Sequence, residues 1–457
     1  MFEESPMNKL FERHPESYQL INELTFCVFD LETTGGNHKN DKIIEIGLVK
    51  IKNLEIVDKK EFLINPEIKI PEFIQKLTNI KQADVENAQK IEEVIHEIVE
   101  FMGDSILVAH NISFDIPFFN SVLRRLDMKE VENKSLCTNL MTKYLIPDLL
   151  NSNLNYMSRI FGIRHKKAHR ALDDAMATAE LLIKYFHIYI SKGIKKINHL
   201  YYPRNRFELD RYHFKSDATD KEQLEEILEK LSNVQTSHLV TLKGENGVIL
   251  FSLPCTGHPD EKKLLSEKLK EFPWETTTIK IFGPFIEALV KYNNLYTKID
   301  PNLRGEIFQF LWKTHLPHKK MPSRETDLAH EQVLTRDFGD FLIVNHLVPE
   351  QMIVYPVQAL HVKTQLVFRY PGHKKKLLQF INSKSQRLSN NKLKPAHYHP
   401  LLKNFIDNYL LDIKEKEGDI FIFKKSLPLQ RPDEFITRLN DFLTKHPNPN
   451  KYPKEYI

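Results

Sequence analysis

Thr25–Gly35 reads TFCVFDLETTG, an apolar run that ends on two carboxylates and then breaks into small turn residues. Phe, Val and Thr favour extended backbone, so the spacing predicts a strand over Thr25–Asp30. Strand side chains alternate between faces with period two, which puts Asp30 and Glu32 on the same side. Two acids facing one way at a strand end form a candidate site rather than a piece of core.

Downstream, Ile43–Ile51 and Glu55–Ile64 read as two further strands joined by a short turn, completing a three-stranded meander. A helix follows over Ile91–Phe101, with apolar residues at Ile91, Val94, Ile95, Ile98 and Phe101. Then come a buried strand at Ser105–Ala109, a helix at Ser113–Leu126, a strand at Ser135–Asn139, a helix at Asn153–Phe161 and a long helix at Ala171–Tyr189. Strands alternating with helices imply an α/β layer structure. Residues 191–235 read as a connector, including the interleaved aromatic and basic run YYPRNRFELDRYHFK at Tyr201–Lys215 and a polar helix at Asp220–Leu231. From His238 the pattern becomes α+β. A hairpin is expected where Gly244–Gly247 separates two apolar runs, further strands at Phe341–His346, Met352–Val357 and Thr364–Tyr370, and helices at Glu261–Glu271, Lys374–Ser383, Pro400–Lys414 and Arg431–Thr444.

Two later segments bring more chemistry towards Asp30 and Glu32. HNISFD (His110–Asp115) leaves a buried strand and opens a helix, so Asp115 falls in the first turn. HRALDDA (His169–Ala175) opens the long helix, where Asp174 begins the inward stripe Asp174, Thr178, Leu181 and Tyr185. Asp173 lies about 100° around that helix and serves its amino terminus instead. Inward carboxylates repel one another and resist burial unless a cation meets them. Oxygen-only donors suit Mg²⁺ or Mn²⁺, and a pair of such ions suits displacement at phosphorus.

The segments FDLETTG, HNISFD and HRALDDA resemble the three motifs of the DEDDh family of 3′-to-5′ exonucleases. That family includes the proofreading subunit or domain of bacterial replicative polymerases, ribonuclease T and the mammalian three-prime repair exonucleases. The resemblance covers about residues 22–190. It implies a ribonuclease H-like exonuclease domain, a mixed sheet with helices on both faces, over 1–190; the connector over 191–235 and the α+β domain over 236–457 rest on the residue pattern alone, since no family resemblance reaches them. It further implies that Asp30, Glu32, Asp115 and Asp174 hold two divalent metal ions, Mg²⁺ or Mn²⁺. His169 would accept the proton of the attacking water. Thr33, Thr34, Gly35, Asn111 and Phe114 would shape the pocket of the terminal nucleotide. The implied products are 5′-mononucleotides, cut from a single-stranded DNA 3′ end, with RNA as the alternative substrate.

Bulk properties agree with a nucleic-acid enzyme. The 457 residues are 41% hydrophobic, enough for more than one core. Net charge is +4, divided as about −6 over residues 1–190 and about +10 over the remainder. Cations beside an acidic site can hold a polyanion which the site alone repels. The three cysteines form no C-x-x-C pair, which points away from a disulfide framework or thiolate zinc site and towards a reducing, cytoplasmic setting. No stretch is apolar for the roughly 18 residues a membrane span needs. The carboxyl-terminal region lacks a G-x-x-x-x-G-K-[ST] phosphate loop, which excludes an appended helicase of that type, and its charge suggests binding of nucleic acid or of a polymerase or repair partner. The competing reading is a non-catalytic nucleic-acid adaptor built on the same scaffold; the presence of all four carboxylates with His169 argues against it.

Overall fold

A computed structural model describes residues 19–146, 149–165, 168–201, 208–215, 220–322, 334, 338–390 and 392–452. Lys166, Lys167 and much of the aromatic and basic run after Tyr201 lie outside the described residues. The chain divides into two units between Leu209 and Asp210.

The first unit holds a five-stranded sheet of β1 (Thr25–Thr33), β2 (Ile43–Lys52), β3 (Glu55–Leu63), β4 (Ile106–Ala109) and β5 (Ser135–Cys137), in the order β3-β2-β1-β4-β5. The meander β1-β2-β3 is antiparallel, while β4 and β5 run parallel to β1, so the sheet is mixed. Its helices are α1 (Glu72–Thr78), α2 (Gln82–Val85), α3 (Ile91–Met102), α4 (Ile112–Arg125), α5 (Thr138–Leu145), α6 (Leu154–Ile160), α7 (Ala171–Ser191) and α8 (Asn198–Tyr201). Period-two alternation in β1 divides the core. Cys27, Phe29 and Leu31 pack with Val94, Ile95 and Ile98 of α3 and Phe118, Phe119 and Val122 of α4. Phe26 faces the other way, its ring 4.8 Å from that of Phe186 on α7. Helices therefore cover both faces, and Asp30 and Glu32 share the α7 side with Phe26 and Val28. This is the ribonuclease H-like architecture expected. β1 extends through Thr33, beyond the expected end at Asp30, so both carboxylates sit on regular strand. Helices α1, α2 and α5 add to the expected elements; at 7, 4 and 8 residues they are too short to show a helical stripe.

The second unit contains two antiparallel four-stranded sheets. One has the order β6 (Arg211–Lys215), β9 (Thr276–Ile281), β7 (His238–Lys243), β8 (Ile249–Cys255); the other has β12 (Leu366–Arg369), β11 (Gln351–Pro356), β10 (Phe341–Asn345), β13 (Phe421–Phe423). Helices α9 (Asp220–Asn233), α10 (Pro259–Glu271), α11 (Phe285–Tyr296), α12 (Pro301–His315), α13 (Lys374–Ser389), α14 (Pro400–Glu415), α15 (Ser426–Gln430) and α16 (Pro432–Lys445) complete it. Alternation again divides the packing: Leu342 and Val344 of β10 join a core shared with β7 and β8, whereas Phe341 and Ile343 join a smaller one with α13 and α16. The α+β character matches expectation. The segment 191–235 does not stand apart as a connector, however: β6 pairs with β9, and Ile227 and Leu231 of α9 are buried in the larger core. The polar composition of these elements hides a half-buried strand and an amphipathic helix. Among the described residues no helix is long and apolar enough to cross a membrane.

Candidate active site

The sheet delivers two acids and the helix ends deliver the others. In the β1–β2 ladder Asp30 stands opposite Gly47, and Glu32 opposite Glu45. Gly47 is required by close approach. A Cβ at that position would lie 2.3 Å from the backbone carbonyl of Ala171 and 2.4 Å from the amide nitrogen of Leu172. The missing side chain lets the first turn of α7 rest against the sheet, and this brings Asp174 to the strand acids. Asp115 enters from the first turn of α4 and is buried.

Glu32, His169 and Asp174 each offer a ligand atom, and these atoms lie within 4.8 Å of one another. Asp30 belongs to the same group electrostatically. Burial pushes its carboxyl well above the usual range, and Asp115, Asp174, Glu32 and Glu45 add to the rise by repulsion. Burial also lifts Glu32 to about 8, helped by Asp174, Glu45 and Asp115 and opposed by Arg170. Asp115 is lifted to about 7 by burial, while the backbone N–H groups of Asp115 and Leu31 pull it back. Distance thus brings Glu32, His169 and Asp174 together, and electrostatic repulsion ties Asp30 and Asp115 to the same acidic cluster. Their oxygens, with one imidazole, are the donor set a hard divalent cation prefers, and such a cation would relieve the repulsion.

His169 sits in a left-handed backbone conformation, φ 64°, uncommon for a residue with a side chain. Its N–H donates to Asp174 Oδ2 at 3.2 Å. The other oxygen of Asp174 meets His165 Nε2 in a short contact. His165 is a neighbour the sequence does not announce; it lies in a polar loop with no periodic signal. Glu45 is another. It is fully buried and takes Arg170 in a two-pronged pair, Nη2 donating to Oε1 and Nε to Oε2 at 3.1 Å, with Nε also 2.9 Å from Oε1, while Oε2 accepts the Ala171 N–H at 2.7 Å. A lone acid inside the apolar run Ile43–Val49 is the signal that could have found it.

The remaining expected residues take structural positions around the pocket. Thr33 Oγ1 donates to Gly35 O at 2.7 Å, and Thr34 Oγ1 accepts the Lys42 N–H at 3.0 Å. At Gly35 an added Cβ would fall 2.5 Å from the Asp41 carboxylate, so a side chain there would have to displace the group that accepts the Asn37 N–H at 2.8 Å. Asn111 precedes α4, where its Oδ1 accepts from Ser113 Oγ at 3.1 Å. Phe114 is half-buried, its ring centre 5.6 Å from that of Phe118. His110 braces the neighbouring loops through Thr138 Oγ1 at 2.9 Å and Ser152 O at 2.7 Å, a structural part.

Residues 27–182 match the family model described as Exonuclease (RNase_T). Similar relatives include the PolC-type DNA polymerase III of Caldanaerobacter subterraneus, 44% identical over 175 residues, covering 38% of this chain and 12% of the relative. That of Clostridium perfringens is 46% identical over 158 residues, 34% of this chain and 11% of the relative. The match thus spans about an eighth of either polymerase. A solved structure of Exonuclease X with 5′-overhanging duplex DNA aligns at 26% identity and a TM-score of 0.31, covering 38% of this chain and 97% of that one.

Proposed function

We propose that the chain, whose residues 27–182 match the family model described as Exonuclease, is a metal-dependent enzyme of the DEDDh type that shortens single-stranded DNA from its 3′ end. Each cut releases a 5′-mononucleotide. The observation that carries the reading is the convergence of Asp30, Glu32, Asp115 and Asp174 beside His169, a costly gathering of like charges with no use in packing.

Asp30, Glu32, Asp115 and Asp174 would hold two divalent cations, Mg²⁺ or Mn²⁺. When bound, such ions activate water and neutralise charge on the scissile phosphate. His169 takes the proton of the attacking water, a task suited to an imidazole near neutral pH. The hydrogen bond from its backbone to Asp174 keeps base and acid together. Thr33, Thr34 and Gly35 form the turn after the strand acids and line the pocket of the terminal nucleotide, with Asn111 and Phe114 on its α4 side. The basic second unit supplies cations for the sugar-phosphate backbone and a surface for a polymerase or repair partner. A cytoplasmic site of action fits three cysteines that all stay free.

Oligomers of DNA and RNA labelled at the 5′ or the 3′ end, incubated with Mg²⁺, Mn²⁺ or chelator, test this reading. Loss of label first from DNA 3′ ends, only with metal, is expected. Faster loss from RNA would redirect the substrate to RNA, and internal cuts or activity in chelator would overturn the mechanism.

A further inference from the structure

Five acids, not four, crowd the pocket, and the fifth is held differently. Glu45 lies directly across the ladder from Glu32, where two like charges destabilise a sheet unless something separates their roles. Arg170 does so: its guanidinium fork grips both Glu45 oxygens, Nη2 on Oε1 and Nε on Oε2, and Oε2 also accepts the first N–H of α7. The side chain of Arg170 makes no cap for its own helix, so Glu45 of β2 caps α7 from the sheet. The clamp lies between His169, with its left-handed backbone, and Ala171, at the close approach Gly47 leaves open.

We propose that Glu45 and Arg170 form a latch that positions the His169–Asp174 turn against β1 and β2, setting where the general base and the helix-borne acid stand in the pocket. Glu45 is thereby withdrawn from cation binding, which leaves Asp30, Glu32, Asp115 and Asp174 as the ligand set. Both residues are positioning residues, and their role rests on the exonuclease reading of the same pocket. Arginine is specified over lysine, because an ammonium cannot engage both oxygens in a fixed plane.

The test uses the full chain with Glu45→Gln, Arg170→Gln, Arg170→Lys and the Glu45→Gln/Arg170→Gln double variant. Measurements are kcat and KM on a 3′-labelled oligonucleotide, thermal unfolding, and Mn²⁺ affinity by electron paramagnetic resonance without nucleic acid. Groups that orient metal ligands without touching the metal typically change activity or metal affinity by roughly 10- to 100-fold. Each Gln variant is expected to lose about that factor in kcat, with little change in KM. Mn²⁺ binding should weaken in parallel, and the double variant should be no worse than either single one. Arg170→Lys should recover only part. Arg170→Gln, at a partly exposed side chain, keeps the test open if Glu45→Gln does not fold. Unchanged kcat and Mn²⁺ affinity in folded Arg170→Gln would overturn the latch, as would strictly additive losses. If the unaltered chain degrades no nucleic acid while Mn²⁺ binding still falls in the variants, the latch stands and the exonuclease reading fails. If the unaltered chain is active and the variants match it, the exonuclease reading stands and the latch fails.

Discussion

The clustered carboxylates of the first unit and Glu261 of the second are buried in opposite ways. In the second unit an inward acid meets donors of its own: Glu261 accepts the N–H groups of Thr256, Gly257 and His258, each at 2.8 to 2.9 Å, and faces His315 at 3.1 Å. Burial pushes Glu261 up, but His315 and those backbone donors outweigh it and leave the carboxyl below its ordinary value. Asp412 is similarly lowered by Lys416 and His318 against the effect of burial. Glu287 is pushed up to about 7, chiefly by burial, with Lys291 and the Gly283 N–H drawing it down. In the first unit, burial lifts Asp30 and Glu32 and other carboxylates lift them further. An acid met by donors holds the fold together; a group of acids left to repel one another is arranged for something that binds there.

The largest expected contrast is catalytic. His169→Ala should reduce kcat by roughly 10²- to 10⁴-fold, the range for losing a general base, and Asp174→Asn should leave comparably little activity. Glu261→Gln, made in the second unit, should leave kcat unchanged in single-turnover assays of folded protein. Its effect falls on stability: weakening charge-assisted hydrogen bonds to a fully buried group should cost about 1–3 kcal/mol by chemical denaturation. A large kcat loss in Glu261→Gln with unchanged stability would erase the distinction between the units.

A smaller effect follows from the pH dependence of the chelated protein. Glu32 rises from 4.5 to about 8 and Asp115 from 3.8 to about 7, so at intermediate pH the folded state holds protons which the unfolded state has lost. Folding stability from these groups is therefore present at low pH and is lost as pH climbs from about 4 to about 8. The melting temperature without divalent cations should decline across that window, and saturating Mn²⁺ should raise it and flatten the decline. A melting temperature that climbs through the window would contradict the pocket electrostatics. The smallest change concerns the second unit's surface. Lys374→Gln, Lys375→Gln and Lys376→Gln together, all at exposed positions, should shallow the salt dependence of single-strand affinity, by roughly 0.7 in log-log slope for each phosphate no longer neutralised, without altering kcat. An unchanged slope would remove α13 from the binding surface.

Much of the first unit is legible in the sequence because periodicity and chemistry coincide there. Period two puts Asp30 and Glu32 together, and period 3.6 turns Asp174 inward with Thr178, Leu181 and Tyr185, all three of which are buried. Glu45 shows locally only as a lone acid in the apolar run Ile43–Val49, and neither its role nor that of Gly47 is legible, because both depend on which helix end lands on β2, a long-range fact. His165 reaches Asp174 through a loop and leaves no trace either. In the second unit β9 reads TTTIKI, where three threonines and a lysine conceal an alternating strand, and β6 lies inside a run whose charge suggests a linker. Helix α11 is hidden because polar residues inside the core, Glu287 and Asn293, blur its apolar stripe, and α12 because it buries only Ile307, Phe308, Leu311 and Trp312.

Whether Asp30, Glu32, Asp115 and Asp174 hold the cations while Glu45 stands aside can be read from a crystal grown with Mn²⁺ and a nucleoside 5′-monophosphate, with data collected for the anomalous signal of manganese. Two peaks roughly 3.5 to 4 Å apart are expected, bound by those four carboxylates, with Glu45 still clamped by Arg170. An empty pocket, or manganese on Glu45 with Arg170 swung away, would refute the assignment.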